Sequence, residues 1–217
     1  HTFLFSGAVE KMLEIVSSGE IGDIYYYDSI RVNLGLFQKD VNAIWDLAVH
    51  DLSILEYVLS QTPIAVSATG IQHIPGNPEN MAFLTLFFAN KTSIAHINVN
   101  WLAPVKVRHT LIGGSKKMIV YNDLEPTEKV KIYDTGVTVA DDKEKIHQVI
   151  SDYRTGDMWA PQIDRTEPLV KEINHFADCI EEDIEPISNG EMGLKVIKVL
   201  EAALKSMAQG GMSVALD

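Results

Sequence analysis

The segment from residue 81 to residue 121, MAFLTLFFANKTSIAHINVNWLAPVKVRHTLIGGSKKMIVY, decides the fold. It is rich in β-branched and aromatic residues and is divided by short polar turns, a pattern typical of consecutive strands. With the stretch just before it, this segment predicts five strands: Ile64–Ile74, Met81–Ala89, Ser93–Leu102, Val105–Ile112 and Lys116–Tyr121. Gly113-Gly114 is interpreted as a hairpin turn. Strands joined by such short turns predict a largely antiparallel sheet.

Apolar residues at helical spacing predict four helices on either side of this segment. Their expected bounds are Ala8–Ser18, Ile44–Ser60, Glu167–Glu181 and Gly190–Gln209. A strand at Asp23–Leu34 follows Gly19 and Gly22, which suit left-handed turns. Three weaker segments follow the sheet: short strands near Val130–Tyr133 and Lys145–Ile150, and a long loop at Tyr153–Arg165. The sequence therefore predicts one α+β domain over residues 1–217, with helices on one face of a large, mostly antiparallel open sheet.

The composition excludes several classes of function. The chain has 217 residues, with 18 basic and 30 acidic side chains, a net charge of −12 that disfavours nucleic acid as a partner. No apolar run approaches 18 residues and no signal peptide is visible, so we expect no membrane association. The single cysteine, Cys179, cannot form an internal disulfide and indicates a reducing, cytoplasmic setting. No glycine-rich dinucleotide or P-loop motif occurs, and the chain begins with His1, so we expect a fragment of a longer protein.

The segment WDLAVHD, residues 45–51, carries the main candidate for chemistry. Asp46 and His50 are four residues apart, which places both side chains on one face of a regular helix. Three interpretations remain open on spacing alone: an exposed polar stripe, an acid–base pair in which Asp46 orients His50, and a metal site that uses the adjacent His50-Asp51. A metal site needs three or four ligands, and the other histidines show no matching spacing, so we predict no metal.

Further polar residues are candidates for binding a substrate. Arg31 and Asn33 alternate on one side of their strand and could hold hydroxyl, carboxylate or phosphate groups. The late loop offers Arg154, Trp159 and Gln162, and a tryptophan in a loop can stack on the face of a sugar. A solvated strand face and a structural loop anchor are the competing interpretations. Cys179 is expected to be an inert helix residue.

Several motifs resemble one family in order along nearly the whole chain. They are SGEIGDI (18–24), the strand with Arg31, the D-x-x-x-H of Asp46 and His50, YRTGDMWAPQID (153–164), EPLVKEINHFADCI (167–180) and GEMGLKVIKVLEAA (190–203). The sequence resembles the C-terminal domain of the glucose–fructose oxidoreductase, inositol dehydrogenase and rhizopine-catabolism (Gfo/Idh/MocA) family. The stretch RVNLGLFQKDVNAIWDLAVHD is similar to members that oxidise the 3-hydroxyl of UDP-N-acetylhexosamines or their uronates.

The resemblance carries several expectations. His50 is the general acid/base and Asp46 orients it, and Asn42 joins the substrate-binding candidates Arg31, Asn33, Arg154 and Trp159. NAD or NADP is bound mainly by an N-terminal Rossmann domain, which also supplies a catalytic lysine and is missing here, so this chain alone is expected to be inactive. A homodimer or homotetramer through the sheet face is implied. The alternative function is a non-catalytic carbohydrate-binding or oligomerisation module.

Overall fold

The computed structural model describes residues 1–35, 38–139, 151–154 and 156–216. A 3₁₀ turn at Thr2–Phe5 leads into the first of four described α-helices: α1 (Gly7–Ser17), α2 (Val49–Leu59), α3 (Pro168–Glu182) and α4 (Gly190–Ala208). The first six strands are β1 (Ile24–Leu34), β2 (Ala65–Ile71), β3 (Met81–Phe87), β4 (Ile94–Asn100), β5 (Leu102–Gly114) and β6 (Met118–Asn122). The others described are β7 (Val130–Tyr133), β8 (Gly136–Val139), β9 (Ser151–Arg154), β10 (Met158–Trp159) and β11 (Val214–Ala215).

Nine of these strands form one open sheet in the order β10-β7-β6-β5-β1-β4-β3-β2-β11. The pair β1–β4 is parallel and the other neighbours are antiparallel. The predicted α+β class with a mostly antiparallel open sheet is therefore confirmed. The parallel pair arises because the chain passes from β1 through the helical segment to the β2–β3–β4 meander, whose last strand pairs with β1 in the same direction. β1 thus lies at the centre of the sheet.

The two faces of the sheet have opposite character. In β4 the side chains of Ala95, Ile97 and Val99 are buried, whereas Ile94 is exposed and His96 half-buried, as a period of two requires. Helices α2 and α4 lie on the buried face. α2 contacts β1, where the Tyr27 hydroxyl donates to the Asp51 carbonyl (3.2 Å), and α4 contacts β2, where the Ser206 hydroxyl accepts from the Ala68 amide (2.8 Å).

Two local expectations need revision, and a third cannot be compared. Gly113 and Gly114 are not the hairpin turn but the end of β5, and the turn lies at Ser115–Lys116. A Cβ at Gly113 would lie 2.1 Å from the Tyr26 ring, so these glycines serve close packing between strands. The segment expected as a loop at 153–165 contains the end of β9 and all of β10. The strand expected near Lys145–Ile150 lies outside the described residues.

The helix α3 presents an apolar face to the outside. The expected stripe is present at helical spacing, but Ile173, Phe176 and Ile180 are 61%, 61% and 68% exposed. Cys179 is its buried residue, and the cysteine sulfur lies 3.4 Å from His175 Nε2. The helix begins at the Glu167 N-cap, whose side chain accepts from the Val170 amide.

Candidate functional site

The segment that carries Asp46 and His50 is not one regular helix. Residues Ile44–Ala48 form a π-helical turn, and α2 begins at Val49, so Asp46 lies in the π turn and His50 in the first turn of α2. A π turn is wider than an α turn, and such turns occur often at functional sites. The expectation that four-residue spacing stacks two side chains assumes 3.6 residues per turn, which this segment does not keep.

The carboxylate of Asp46 is held by a residue distant in sequence. Trp101, at the end of β4, donates its indole Nε1–H to Asp46 Oδ2 over 2.8 Å. Gly35 lies against the Trp101 side chain, since a Cβ there would be 2.6 Å from Trp101 Cδ1. Among the described residues, the hydrogen bonds of the site do not include one between Asp46 and His50. Asp46 therefore acts on His50 through its charge.

The neighbouring Asp51 forms the tightest polar contacts of the site. It is 2% exposed and accepts from Arg31 Nε (2.7 Å) and Nη2 (3.1 Å), in a two-point contact with a guanidinium that is 3% exposed. The Ser29 hydroxyl also donates to Asp51 Oδ1 over 2.7 Å. Ser29 and Arg31 alternate on the buried side of β1, so both meet α2. This buried, charge-assisted contact fixes the first turn of α2, and with it the backbone of His50, on the sheet.

The imidazole of His50 lies in a partly apolar, cationic environment. The ring of Phe3 contacts it edge-on, with centroids 5.0 Å apart. His50 Nδ1 is buried and has no hydrogen-bond partner among the described residues. Burial first, and then the Arg31 charge, lower the pKa of His50 from 6.5 to about 4, against the opposing charges of Asp51 and Asp46. The imidazole is therefore neutral at physiological pH.

A second polar group lies beside the first on β5 and β6. Arg108 stands directly opposite Arg31 in the β1–β5 register and donates from Nη1 to Asp123 Oδ2 over 2.9 Å. Tyr121 and Lys129 also donate to Asp123 Oδ1, at 3.1 and 3.3 Å. Burial alone would raise the pKa of the Asp123 carboxyl, but the Arg108 hydrogen bond and the charges of Lys129 and Arg108 hold it below its usual range. Asp123 is thus an ionised anchor for Arg108.

Sequence reasoning missed several members of this site, among them Phe3, Ser29, Trp101, Arg108 and Asp123. The alternation of Ser29 with Arg31 on β1, and of Arg108 with Thr110 on β5, was a usable signal that polar residues occupy the buried face there. Asp51 was considered only as a metal ligand. Its pairing with Arg31 depends on how α2 lies across β1, which the periodicity of either element does not reveal.

The other substrate-binding candidates lie at different distances from His50. Asn33 follows Arg31 on β1, and Asn42 is buried, where its Oδ1 accepts from the Trp45 amide (3.2 Å) and its Nδ2 donates to Glu79 (3.2 Å). Trp159 lies on β10, four strands from β1 and so about 19 Å away at the usual strand spacing. Its ring lies 4.7 Å from Lys117 Nζ. Arg154 is in β9, but its side chain lies outside the described residues.

Other features of the described residues bound the chemistry. No three His, Cys, Asp or Glu side chains among them converge in a way that could hold a metal ion. Every described helix is too short or too polar to span a bilayer. A groove of about 300 Å³ lies between the 3₁₀ turn and α3, lined by residues that include Phe5, Ile173 and Phe176, and does not include His50.

Comparisons with known proteins agree with this architecture. The family model described as "Oxidoreductase family, C-terminal alpha/beta domain" (GFO_IDH_MocA_C) matches residues 14–216. No curated protein matches the sequence. Similar solved structures include aldose-aldose oxidoreductase from Caulobacter crescentus complexed with glycerol (17% identity, TM-score 0.75) and an NAD binding oxidoreductase from Klebsiella pneumoniae (15%, 0.76). Levoglucosan dehydrogenase in complex with NADH is also similar (17%, 0.76). Each match covers 100% of this chain but 62%, 65% and 64% of the other, so the chain spans under two thirds of these relatives.

Proposed function

We propose that this chain is the substrate-binding part of a nicotinamide-dependent sugar dehydrogenase. The chain belongs to the Gfo/Idh/MocA oxidoreductase family and matches its C-terminal alpha/beta domain. The observation that carries this proposal is the buried Nδ1 of His50, which has no hydrogen-bond partner among the described residues and lies on a turn whose carboxylates, Asp46 and Asp51, are held by other side chains. A structural histidine normally satisfies both ring nitrogens. A neutral imidazole can accept a proton, as a general base must.

The roles of the residues follow from their contacts. His50 takes the proton of the substrate hydroxyl, and the negative charges of Asp51 and Asp46 stabilise the imidazolium that forms. The Trp101 indole and the Arg31 guanidinium hold these carboxylates in place, so little reorganisation is needed when the proton moves. A nicotinamide cofactor, when bound, supplies the hydride acceptor. No described helix follows a strand through a glycine-rich loop, so we assign NAD or NADP to another part of the full-length protein.

The proposed substrate is a sugar or nucleotide sugar. Two similar structures, the aldose-aldose oxidoreductase and levoglucosan dehydrogenase, carry sugar chemistry in their names. The likeness of the stretch around Asp46 and His50 to UDP-N-acetylhexosamine and uronate 3-dehydrogenases supports oxidation at C3. Arg31, Asn33 and Asn42 lie on the elements that carry or precede the catalytic turn, and we propose that they contribute to substrate binding together with Arg154 and Trp159. A cytoplasmic location fits the single, buried cysteine.

Two uncovered surfaces support a larger assembly. The apolar face of α3, which includes Ile173, Phe176 and Ile180, suits coverage by the nucleotide-binding part of the protein. The 3₁₀ turn lies beside this helix, since the Thr2 hydroxyl donates to Glu172 over 2.7 Å. The open sheet face exposes Phe83 and Ile94, and we propose that it pairs with a second copy of the chain in a homodimer or homotetramer.

The direct test is hydride transfer by the full-length protein. Reduction of NAD and NADP is followed at 340 nm with neutral sugars, sugar acids and UDP-N-acetylhexosamines. His50→Ala is expected to lower the rate by roughly 10² to 10⁴ while binding of the sugar persists. Ser53→Ala, three residues after His50 on α2, removes a hydroxyl that donates to the His50 carbonyl; it is the control and should retain most activity.

Two results would change the proposal. A loss below tenfold in a folded His50→Ala protein would make His50 a structural histidine. Sugar binding without hydride transfer, with either nucleotide, would favour the non-catalytic carbohydrate-binding module instead.

A further inference from the structure

Two arginines face each other on adjacent strands beside His50. Arg31 of β1 and Arg108 of β5 are direct cross-strand partners on the helix-covered face of the sheet. Like charges in this position are destabilising. Both guanidinium carbons lie over the same ring, that of Phe3, at 4.7 and 5.5 Å from its centroid. Each guanidinium is paired with one carboxylate, Arg31 with Asp51 and Arg108 with Asp123.

The hydrogen-bond capacity of the pair is not used up. Asp51 engages Nε and Nη2 of Arg31, but Arg31 Nη1 is buried and has no hydrogen-bond partner among the described residues. Leaving a buried charged donor unpaired is costly, so a group that binds to Arg31 Nη1 would gain a charge-assisted hydrogen bond. Arg108 shares its single carboxylate, Asp123, with Lys129, so two cations meet one anion there.

We propose that Arg31 Nη1 and Arg108 bind a carboxylate group of the substrate, and that Arg108 selects sugar acids over neutral sugars. A guanidinium offers donors in one plane, which match the two oxygens of a carboxylate. One anion placed between the two arginines would satisfy the orphaned donor, relieve the repulsion across the strands and neutralise the excess cation at Asp123. A neutral hydroxyl could do only the first.

The same geometry orients the sugar ring. Phe3 contacts both guanidinium groups and His50, whose ring centroid is 5.0 Å from that of Phe3. A carboxylate held by the arginines therefore fixes the distance from that end of the sugar to the base. The Phe3 ring supplies an apolar surface next to the sugar carbons. The site thus links recognition of the acid to the choice of hydroxyl that His50 deprotonates, a role that rests on the proposed function.

Equilibrium binding to this chain tests the inference without requiring any turnover. D-glucuronate is compared with D-glucuronamide, which has the same shape and no charge, by titration calorimetry or by chemical shift changes at His50. The wild type is expected to bind glucuronate roughly 10- to 100-fold more tightly than the amide. In Arg108→Gln this preference should fall to within a factor of about three, because the charge-assisted contact is lost.

Matched variants separate the site from general charge effects. Arg165→Gln removes one exposed arginine from the loop before α3 and should leave the preference unchanged. Arg108→Lys keeps the charge but not the planar fork and should retain an intermediate preference. Arg108→Gln is expected to fold, since Asp123 keeps Lys129 and Tyr121 as partners, and circular dichroism checks this.

The outcomes are distinct. Equal affinity of the wild type for glucuronate and its amide, or an unchanged preference in folded Arg108→Gln, overturns the inference. Tighter binding of D-glucose 6-phosphate than of glucuronate overturns the carboxylate assignment. If the preference holds in this chain but the full-length protein transfers no hydride, the acid site stands and the dehydrogenase proposal fails.

Discussion

At the residue scale, the site depends on which side chain donates a hydrogen bond to each carboxylate. The motif D-x-x-x-H suggests that Asp46 bonds to His50, but in the structure Asp46 accepts from Trp101 and the adjacent Asp51 accepts from Arg31. Two fixed carboxylates therefore act on His50 electrostatically, and neither forms a hydrogen bond with its ring. Its neutral state is set by burial and by Arg31, which outweigh the two carboxylates.

The pKa of His50 gives a direct prediction. NMR titration of its imidazole should give a midpoint near 4 instead of 6.5. Since the folded state then binds fewer protons than the unfolded state, the free energy of unfolding should fall as pH drops from about 6.5 towards 4. His50→Gln should show a shallower loss in that window. A midpoint at 6 or above would contradict the burial of this ring.

The Arg31–Asp51 pair should matter more to stability than any surface pair. Asp51→Ala leaves the Arg31 guanidinium buried without its partner, so urea unfolding should show a loss of about 3–5 kcal/mol. Lys195→Ala, which breaks the more exposed Lys195–Glu56 pair, is the control and should cost below about 1 kcal/mol. Equal losses in the two variants would mean that water reaches Arg31 when Asp51 is removed.

At the scale of elements, close packing between segments explains why glycine occurs at Gly113 and Gly114, which the sequence had suggested to be a hairpin turn. Gly114 ends β5 where a Cβ would lie 2.2 Å from the backbone oxygen of Ile21. The preceding turn, with Gly19 and Gly22 at positive φ, brings Ile21 to this position. Glycine is therefore needed at the end of β5 because any side chain there would clash. The hairpin turn itself is formed by Ser115 and Lys116.

A pair of glycine substitutions tests this account. Gly114→Ala should destabilise the protein by about 1–3 kcal/mol, because the backbone of Ile21 must move. Gly193→Ala, in α4 with nothing within 4 Å of the new Cβ, should stabilise it by about 0.5–1 kcal/mol. Thermal unfolding of the two variants measures both signs. A neutral Gly114→Ala would show that β5 can slide away from the turn.

At the scale of the whole molecule, one face of the sheet and one face of α3 remain open. The sheet face exposes Phe83 at 39% and stacks it on His96, with ring centroids 6.1 Å apart. His96 lies 3.3 Å from the Asp28 carboxylate on the same face. An open sheet with aromatic and ionisable residues in one patch has the mixed character of a subunit interface.

The proposed pairing through the sheet face predicts the effect of one charge. Phe83→Glu should convert the oligomer to a monomer in light scattering after size exclusion, because it would bury two carboxylates across a symmetric interface. Met212 is also apolar and is 66% exposed, but it lies in the segment after α4. Met212→Glu should therefore leave the oligomer intact. An unchanged mass in Phe83→Glu would remove the sheet face as the interface.

The sequence by itself determined the elements and the class of fold. Periodicity located α1, β1, the central strands and the last two helices to within a few residues, because alternation and helical spacing are local consequences of backbone geometry. The ordered motifs also indicated the family, and the spacing drew attention to His50. The sequence did not determine which side chains contact each other.

Only the tertiary structure decided the partners within the site. Trp101 reaches Asp46 across 55 positions of the chain, and the β1–β5 register places Arg108 opposite Arg31. The π turn changes the direction of Asp46 relative to His50. These contacts depend on strand register, on how α2 crosses β1 and on competition among hydrogen-bond donors. Each of these is a long-range property, so a residue pattern can supply the groups of a site but not their pairing.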